Sequence, residues 1–215
     1  MNKPQTTDQI RKAYNKSAGK YGESFYHELY FKPLDVKLLD LFCERVNPEM
    51  HVCEIGCGPG EISAYLKYKG LSLIGIDISE EMINIAKQLN PHIDFRTGDV
   101  FKLDFPDSYF SGVLAPFLFV NYEMAEIRTA LSEIKRVLNP NGLFYMSFHA
   151  GTERIATNDF LVDNNPLEFI FLDVEEIARM LEEQGFEVIE WIIRSPYKEG
   201  EHPNKRAYIF ARNKK

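Results

Sequence analysis

Residues 52–60, Val-Cys-Glu-Ile-Gly-Cys-Gly-Pro-Gly, followed by Asp77 seventeen positions after Gly60, constrain this chain more than any other stretch. They read as an apolar strand, a glycine turn, a helix start and a second strand ending in a carboxylate. A parallel α/β sheet holds a nucleoside with that arrangement. Glycine serves where backbone passes close to a ligand or turns through a positive φ. Asp77, at the carboxyl end of its strand, is placed to accept hydrogen bonds from two ribose hydroxyls. The spacing narrows the choice. A dinucleotide fingerprint started at Gly56 meets Glu61 at its sixth position, and one started at Gly58 meets Ser63, so the third glycine is missing. No Gly-Lys-Ser/Thr follows, which removes a phosphate-binding P-loop.

The chain of 215 residues suits one α/β domain over 1–215, with 1–32 as an N-terminal helical cap and 150–170 as a possible substrate loop. Residues 113–120 form the longest apolar run, and Pro116 interrupts it; residues 1–10 lack the apolar stretch of a signal peptide. A cytoplasmic location with no membrane partner is therefore expected. Cys43, Cys53 and Cys57 have no zinc spacing and an odd count, so a disulfide framework is not expected. A formal charge of −7 argues against a nucleic-acid partner drawn in by long-range attraction. The excess of basic residues over 1–32 and at the C-terminal tail reads as a solvated helix face and a tail.

Periodicity supplies the elements. Asp8 is expected to cap a first helix with Ile10, Tyr14, Ala18 and Tyr21 on one face, and Pro33 to start a second. Strands are expected over 51–55, 71–76, 93–96, 111–114 and 143–148, with helices after the glycine turn, after Ser79 and through Ile127, Leu131, Ile134 and Leu138. Asp173 opens a last helix that Gly185 closes, and 187–193 with 206–211 alternate as a hairpin. The order predicts an α/β fold: a Rossmann-like three-layer sandwich.

The pattern Glu54-x-Gly56-x-Gly58-x-Gly60 resembles the first motif of the class I S-adenosylmethionine-dependent methyltransferases. The segment EIRTALSEIKRVLNPNGLFYMSF resembles another of that family's motifs, with Asn141 replacing a glycine; Asn tolerates left-handed backbone. The motif order is similar from Pro33 to Arg212. SFHAG, RSPY and RAYIFAR, with the Tyr14…Ala18…Tyr21 helix, resemble a bacterial branch of the small-molecule type. The resemblance implies a seven-stranded, mostly parallel sheet with an antiparallel last strand. It implies S-adenosylmethionine as cofactor and S-adenosylhomocysteine as product. It places Glu54, Gly56, Gly58, Gly60, Asp77, Ile78, Met82, Asp99, Val100 and Ala115 at the cofactor, with Asp99 taking the adenine amino group, the Val100 amide a ring nitrogen and Met82 the adenine face. Tyr14 and Tyr21 either cover the cofactor tail or are core aromatics of a docked helix.

Methyl transfer from such a cofactor needs alignment above all, with a base where the acceptor is a hydroxyl or amine. His149, just after the fifth strand at the ligand-binding edge of the sheet, is the candidate base, against the reading of a loop histidine with local hydrogen bonds. No His, Asp and Glu grouping has metal-ligand spacing. Ala115-Pro116-Phe117 lacks the Asn or Asp with which amino-methylating nucleic-acid enzymes hold their target. Aromatic residues including Phe117, Tyr122, Phe160, Phe169 and Phe171 fit a small, partly apolar acceptor or simply the core. Arg194, Tyr197 and Arg206 either meet an anionic acceptor or pair with Glu199 and Glu201 on the surface. A small-molecule methyltransferase is the leading expectation. A nucleic-acid or protein methyltransferase, and a catalytically silent cofactor-binding regulator, remain open beside it, and the oligomeric state is unset.

Overall fold

The computed structural model describes residues 4–197 and 201–214. Among the described residues nine strands form in chain order: β1 His51–Ile55, β2 Ser72–Asp77, β3 Asp94–Thr97, β4 Phe110–Pro116, β5 Leu138–Ala150, β6 Arg154–Thr157, β7 Leu167–Ile170, β8 Phe186–Arg194 and β9 Lys205–Asn213. Six α-helices accompany them: α1 Thr7–Phe25, α2 Pro33–Arg45, α3 Glu61–Tyr68, α4 Glu80–Leu89, α5 Met124–Val137 and α6 Val174–Glu183. Seven strands make one sheet in the order β3-β2-β1-β4-β5-β9-β8. The pairings from β3 through β5 are parallel, and β9 runs antiparallel to both β5 and β8. The expected sheet and its antiparallel last strand are present. The order reverses between β1 and β4, the crevice where open α/β sheets bind ligands.

The central strands are apolar on both faces because helices cover both. β4 is buried from Phe110 to Ala115. On one face α5 inserts Ile127, Leu131 and Ile134; on the other α2 brings Leu38, Leu39 and Phe42 against Val52, Leu114 and Tyr145. The helix ends obey local chemistry. Ser79 caps α4 by accepting from the Met82 amide at 3.1 Å, and Asp173 caps α6 by accepting from Glu176 at 2.9 Å. Asn141 stands at φ 63°, the left-handed backbone expected where the related motif has glycine.

Three details differ from expectation. Thr6, not Asp8, caps α1: its hydroxyl accepts from the Gln9 amide while the Gln9 side chain takes the Thr6 N–H at 2.8 Å. Asp8 lies in the first turn and pairs with Arg11 and Lys12 instead. β5 begins five residues early, at Leu138, because Phe110 pairs with Leu138 before the ladder shifts to Gly112 with Leu143. The 150–170 stretch is not an open loop, since β6 and β7 pair antiparallel within it and a bridge from Ala150 to Leu172 ties it to the main sheet.

One ring determines how the glycine turn sits on the sheet. Phe95, from edge strand β3, is 2 % exposed and lies against two glycines. A Cβ on Gly75 of β2 would stand 2.5 Å from the Phe95 ring, and one on Gly60 2.7 Å from it. Gly60, at φ 86°, therefore answers to packing as well as to backbone conformation. Gly75→Ala is expected to lower the unfolding free energy by about 1–3 kcal/mol through overpacking. In a Phe95→Leu background the same substitution should cost less; equal costs in denaturant titrations of both pairs would remove Phe95 as the cause.

Candidate functional site

A cavity of about 600 Å³ opens along the carboxyl ends of the parallel strands. That size suits a drug-sized ligand. Its floor comes from the glycine turn and Asp77, one wall from α1, and the far end from β5, β9 and the β6–β7 hairpin. A smaller recess of about 110 Å³ has walls in common with it at Gly56 and Gly58 and reaches down to Glu54.

Asp77 ends β2 with both carboxylate oxygens in use: Oδ2 accepts from the Gly58 amide at 2.9 Å and Oδ1 from the Ser79 amide at 2.8 Å. Desolvation pushes its pKa up to about 6, with these amides working the other way. Gly58, at φ 52°, shows the open side of the turn, because a Cβ there would meet only a Tyr21 ring carbon, at 3.9 Å. Gly56, at φ 73°, is tighter, with Leu118 at 3.0 Å. Glu54 is 2 % exposed and accepts the Ser63 hydroxyl proton. Burial raises its pKa to about 8, so the folded protein holds it protonated at neutral pH.

The other sequence-expected residues divide. Ile78, Met82 and Val100 line the cavity, as do Tyr14, Tyr21 and His149. Asp99 lies between two lining residues, Gly98 and Val100, and its Oδ1 accepts from the Phe101 amide at 2.9 Å. Gly60 and Ala115 do not line the cavity; Ala115 is fully buried in β4 and Gly60 packs on Phe95. Tyr14 donates its hydroxyl to Asn121 Oδ1 at 2.9 Å, and its ring meets Phe160 and Tyr21 edge-on. Burial raises the pKa of both tyrosines, which keeps them neutral.

His149 sits between the Phe117 and Phe171 rings, with centroids 5.1 and 5.3 Å away. Burial, and then Arg206, lower its pKa to about 4. It is a neutral imidazole under ordinary conditions, and its buried Nδ1 has no hydrogen-bond partner. The reading of a loop histidine satisfied locally therefore fails at that nitrogen.

Beyond His149 the cavity ends in a charged network that periodicity did not reveal. Arg194 clamps Glu201 through two 2.7 Å bonds, reaches Asp35 at 3.0 Å and stacks on Tyr197 at 4.1 Å. Burial works against the charge of Glu201, but Arg194 and the Tyr197 amide outweigh it and hold its pKa at about 2. Lys32 pairs with Glu28 and lies 3.8 Å from Glu201. Arg194, Arg206 and Glu201 are thus paired with one another in the interior, not on the surface; Glu199 lies outside the described residues. Glu28 and Lys32, at i and i+4, were hidden as an ordinary helical surface pair. Asn121, which fixes Tyr14, carried no sequence signal. Among the described residues no group of His, Cys, Asp and Glu could hold a metal ion.

Residues 52–142 match a protein-family model described as a methyltransferase domain. The demethylmenaquinone methyltransferase of Tropheryma whipplei (strain Twist) is 26 % identical over 216 residues, covering 86 % of each chain. Among solved structures, a Burkholderia thailandensis 1,6-didemethyltoxoflavin-N1-methyltransferase with bound 1,6-didemethyltoxoflavin and S-adenosylhomocysteine superposes with a TM-score of 0.73 at 18 % identity, covering 100 % of this chain and 94 % of that one. The [4+2]-cyclase SpnF superposes at 0.74 and 18 % identity, covering 100 % and 99 %. Those structural likenesses establish the fold, which serves more than one chemistry. Fold, topology and glycine-turn cavity define the class I architecture. Residues 52–142 are a methyltransferase domain by this match, and the chain around them has the class I fold.

Glu54 yields a pH test. Its folded pKa is raised, so its contribution to stability is complete below about pH 4.5 and is lost as pH rises through about 8. Glu54→Gln, which mimics the protonated acid, should gain stability over the parent between pH 5 and pH 8 by on the order of 2–4 kcal/mol. Denaturation profiles of parent and variant that stay parallel across this range would show Glu54 ionised in the folded protein.

Proposed function

We propose that this chain methylates a small-molecule acceptor, with cofactor and acceptor side by side in the 600 Å³ cavity. The supporting observation is the open side of Gly58 beside Asp77: a backbone cradle that any Cβ would fill, next to a carboxylate facing the same space. When bound, S-adenosylmethionine supplies a methyl group on a positively charged sulfur, already activated for displacement. In this reading Asp77 takes the ribose hydroxyls with the lone pairs that Gly58 and Ser79 leave free. Ile78, Met82 and Val100 offer apolar faces to the adenine, and Asp99 uses Oδ2 for its amino group. Gly56, Gly58 and Glu54 frame the recess for the amino-acid tail, under Tyr21. Gly60 and Ala115 act beneath the site by packing. Tyr14 and Tyr21 make α1 the cap of the site, so that residues 1–215 work as one unit.

His149 stands on the acceptor side as a neutral hydrogen-bond acceptor able to take a proton as a nucleophile loses it. Catalysis on this reading is mostly alignment, and the chain's task is to hold two ligands and exclude water. A small acceptor agrees with walls closed by α1 and the β6–β7 hairpin, with Phe160, Phe169 and Phe171 at the far end. The T. whipplei relative and the toxoflavin enzyme are named for small acceptors as well. No helix of the described residues is long and apolar enough to cross a membrane; a cytoplasmic location is part of the proposal.

Calorimetric titration with S-adenosylmethionine, S-adenosylhomocysteine and NADH tests the reading. Both sulfur nucleosides should bind and NADH should not. Asp77→Asn should weaken their binding by about 1–3 kcal/mol, the usual cost of leaving buried polar groups unpaired, and Gly58→Val should abolish it. NADH binding alone, or an unchanged affinity in both variants, would overturn the assignment.

A further inference from the structure

An acceptor that attacks through a hydroxyl or amine gives up a proton as it gains a methyl group, and the cavity must pass that proton to solvent. His149 holds it only in passing, because burial and then Arg206 keep its pKa at about 4. Among the described residues that line the cavity, the other ionisable groups are committed elsewhere. Tyr14, Tyr21 and Tyr122 are buried neutral phenols with no basic site. Glu28 is paired with Lys32, and Glu201 is clamped by Arg194. Asp77 serves the Gly58 and Ser79 amides at the opposite end. One further imidazole lines the cavity, that of His202.

His202 lies just before β9 and is exposed, so it meets both the cavity and solvent. After burial and Arg206 it is the next cause that lowers the His149 pKa, so the two rings share one end of the cavity. Its carbonyl is fixed by two donors, Arg206 Nη1 at 2.7 Å and the Asn204 amide at 2.8 Å. Its ring Nδ1 stands 2.9 Å from Asn204 Oδ1. The Asn204 side chain is oriented from two sides: Nδ2 donates to the Lys205 carbonyl at 3.3 Å, and Oδ1 accepts from Arg206 Nη1 at 3.3 Å. A flipped amide would set donor against donor and acceptor against acceptor. The group facing His202 is therefore an oxygen, which can only accept, and Nδ1 carries the hydrogen. The neutral ring has its lone pair on Nε2, turned away from Asn204.

We infer that His202 is the base that takes the acceptor's proton on Nε2 and passes it to solvent, with Asn204 as the positioning residue that keeps Nε2 free. This inference rests on the methyltransferase reading of the cavity. For a hydroxyl, the O–H bonding pair stays on oxygen as the proton moves to Nε2. An oxygen lone pair forms the bond to the methyl carbon, and the carbon–sulfur pair departs with sulfur in S-adenosylhomocysteine. The proton then goes from Nε2 to water. Charges around this end already balance, with Lys32, Arg194 and Arg206 against Glu28, Asp35 and Glu201. A new positive charge is best held at the exposed ring, where water solvates it.

Nitrogen-15 NMR of the full chain saturated with S-adenosylhomocysteine should show the neutral His202 ring protonated on Nδ1, and Asn204→Ala should move that proton to Nε2. Turnover is read as S-adenosylhomocysteine formed from S-adenosylmethionine with phenol, 2-naphthol and their thiol analogues, which ionise more readily and need less help from a base. His202→Gln should lower kcat/KM on the hydroxyl acceptors by about a hundredfold, the low end of what a positioned base supplies, and on the thiols by less than about threefold. The acid limb of the pH–rate profile on 2-naphthol should vanish in the same variant. Asn204→Asp, which keeps an oxygen toward Nδ1, should retain the hydroxyl activity that Asn204→Ala loses. A parent ring protonated on Nε2, or equal losses on hydroxyls and thiols, would overturn the role of His202 and leave the methyltransferase reading standing. Binding of S-adenosylmethionine with turnover of no acceptor would remove the small-acceptor reading and the base with it.

Discussion

The carboxylate of Asp77 joins two turns, at Gly58 and Ser79, that the sequence places twenty-one residues apart. By accepting from Gly58 and Ser79 it fixes the glycine turn after β1 to the start of α4 after β2. Both turns are entrances to helices on the ligand edge of the sheet, so their relative position sets the cavity floor. The cost is a carboxylate in a poorly solvated place, visible in its raised pKa. Glu54 beneath it shows the same effect more strongly, because only Ser63 and its surroundings are there to offset burial. Packing secures the arrangement from below, where Phe95 fills the space that Gly60 and Gly75 leave open.

The two ends of the cavity differ in electrostatic character. The Asp77 end has acidic groups pushed toward neutrality, and the β5–β9 end has fully paired charges with strongly ionised Glu201. Removing one member of the latter set would leave an uncompensated buried charge, the costly way to break an ion pair. This network does not open to a charged ligand without losing its own balance. His149 and Arg206 are its exceptions, each with one atom left over.

Much of this was legible in the sequence because parallel strands buried on two faces and amphipathic helices leave strong periodic traces. The glycine turn, Asp77, the caps at Ser79 and Asp173 and the closing hairpin follow from local rules that tertiary packing did not override. Thr6 was missed because Asp8 also satisfies the capping preference, and only backbone conformation chooses between them. The β6–β7 hairpin was missed because its strands are only four residues long, and neither the mostly exposed β6 nor β7, buried at both ends, carries a two-residue alternation. Gly60 had the expected conformation, yet the ring packed against it, Phe95, lies thirty-five residues away. The Arg194–Glu201–Asp35 cluster gathers residues from α2, β8 and the β8–β9 connection, a meeting that no window of sequence contains.

The attachment of α1 has a further meaning. Its buried positions are Ile10, Ala13, Ser17 and Ala18, three of them small, so little apolar surface is sealed beneath it. It is held instead by polar ties: Gln5 to the Asn121 and Glu168 carbonyls, Asn15 to Ser79, and Lys16 to the carbonyls at Asp163 and Asn164. Such ties exchange readily with water, so this helix belongs to the low-stability end of the molecule's local opening reactions. Tyr14 and Tyr21 leave with it when it opens. Because Tyr14 and Tyr21 line the cavity, any local opening of this nineteen-residue helix removes one wall of the cavity with it.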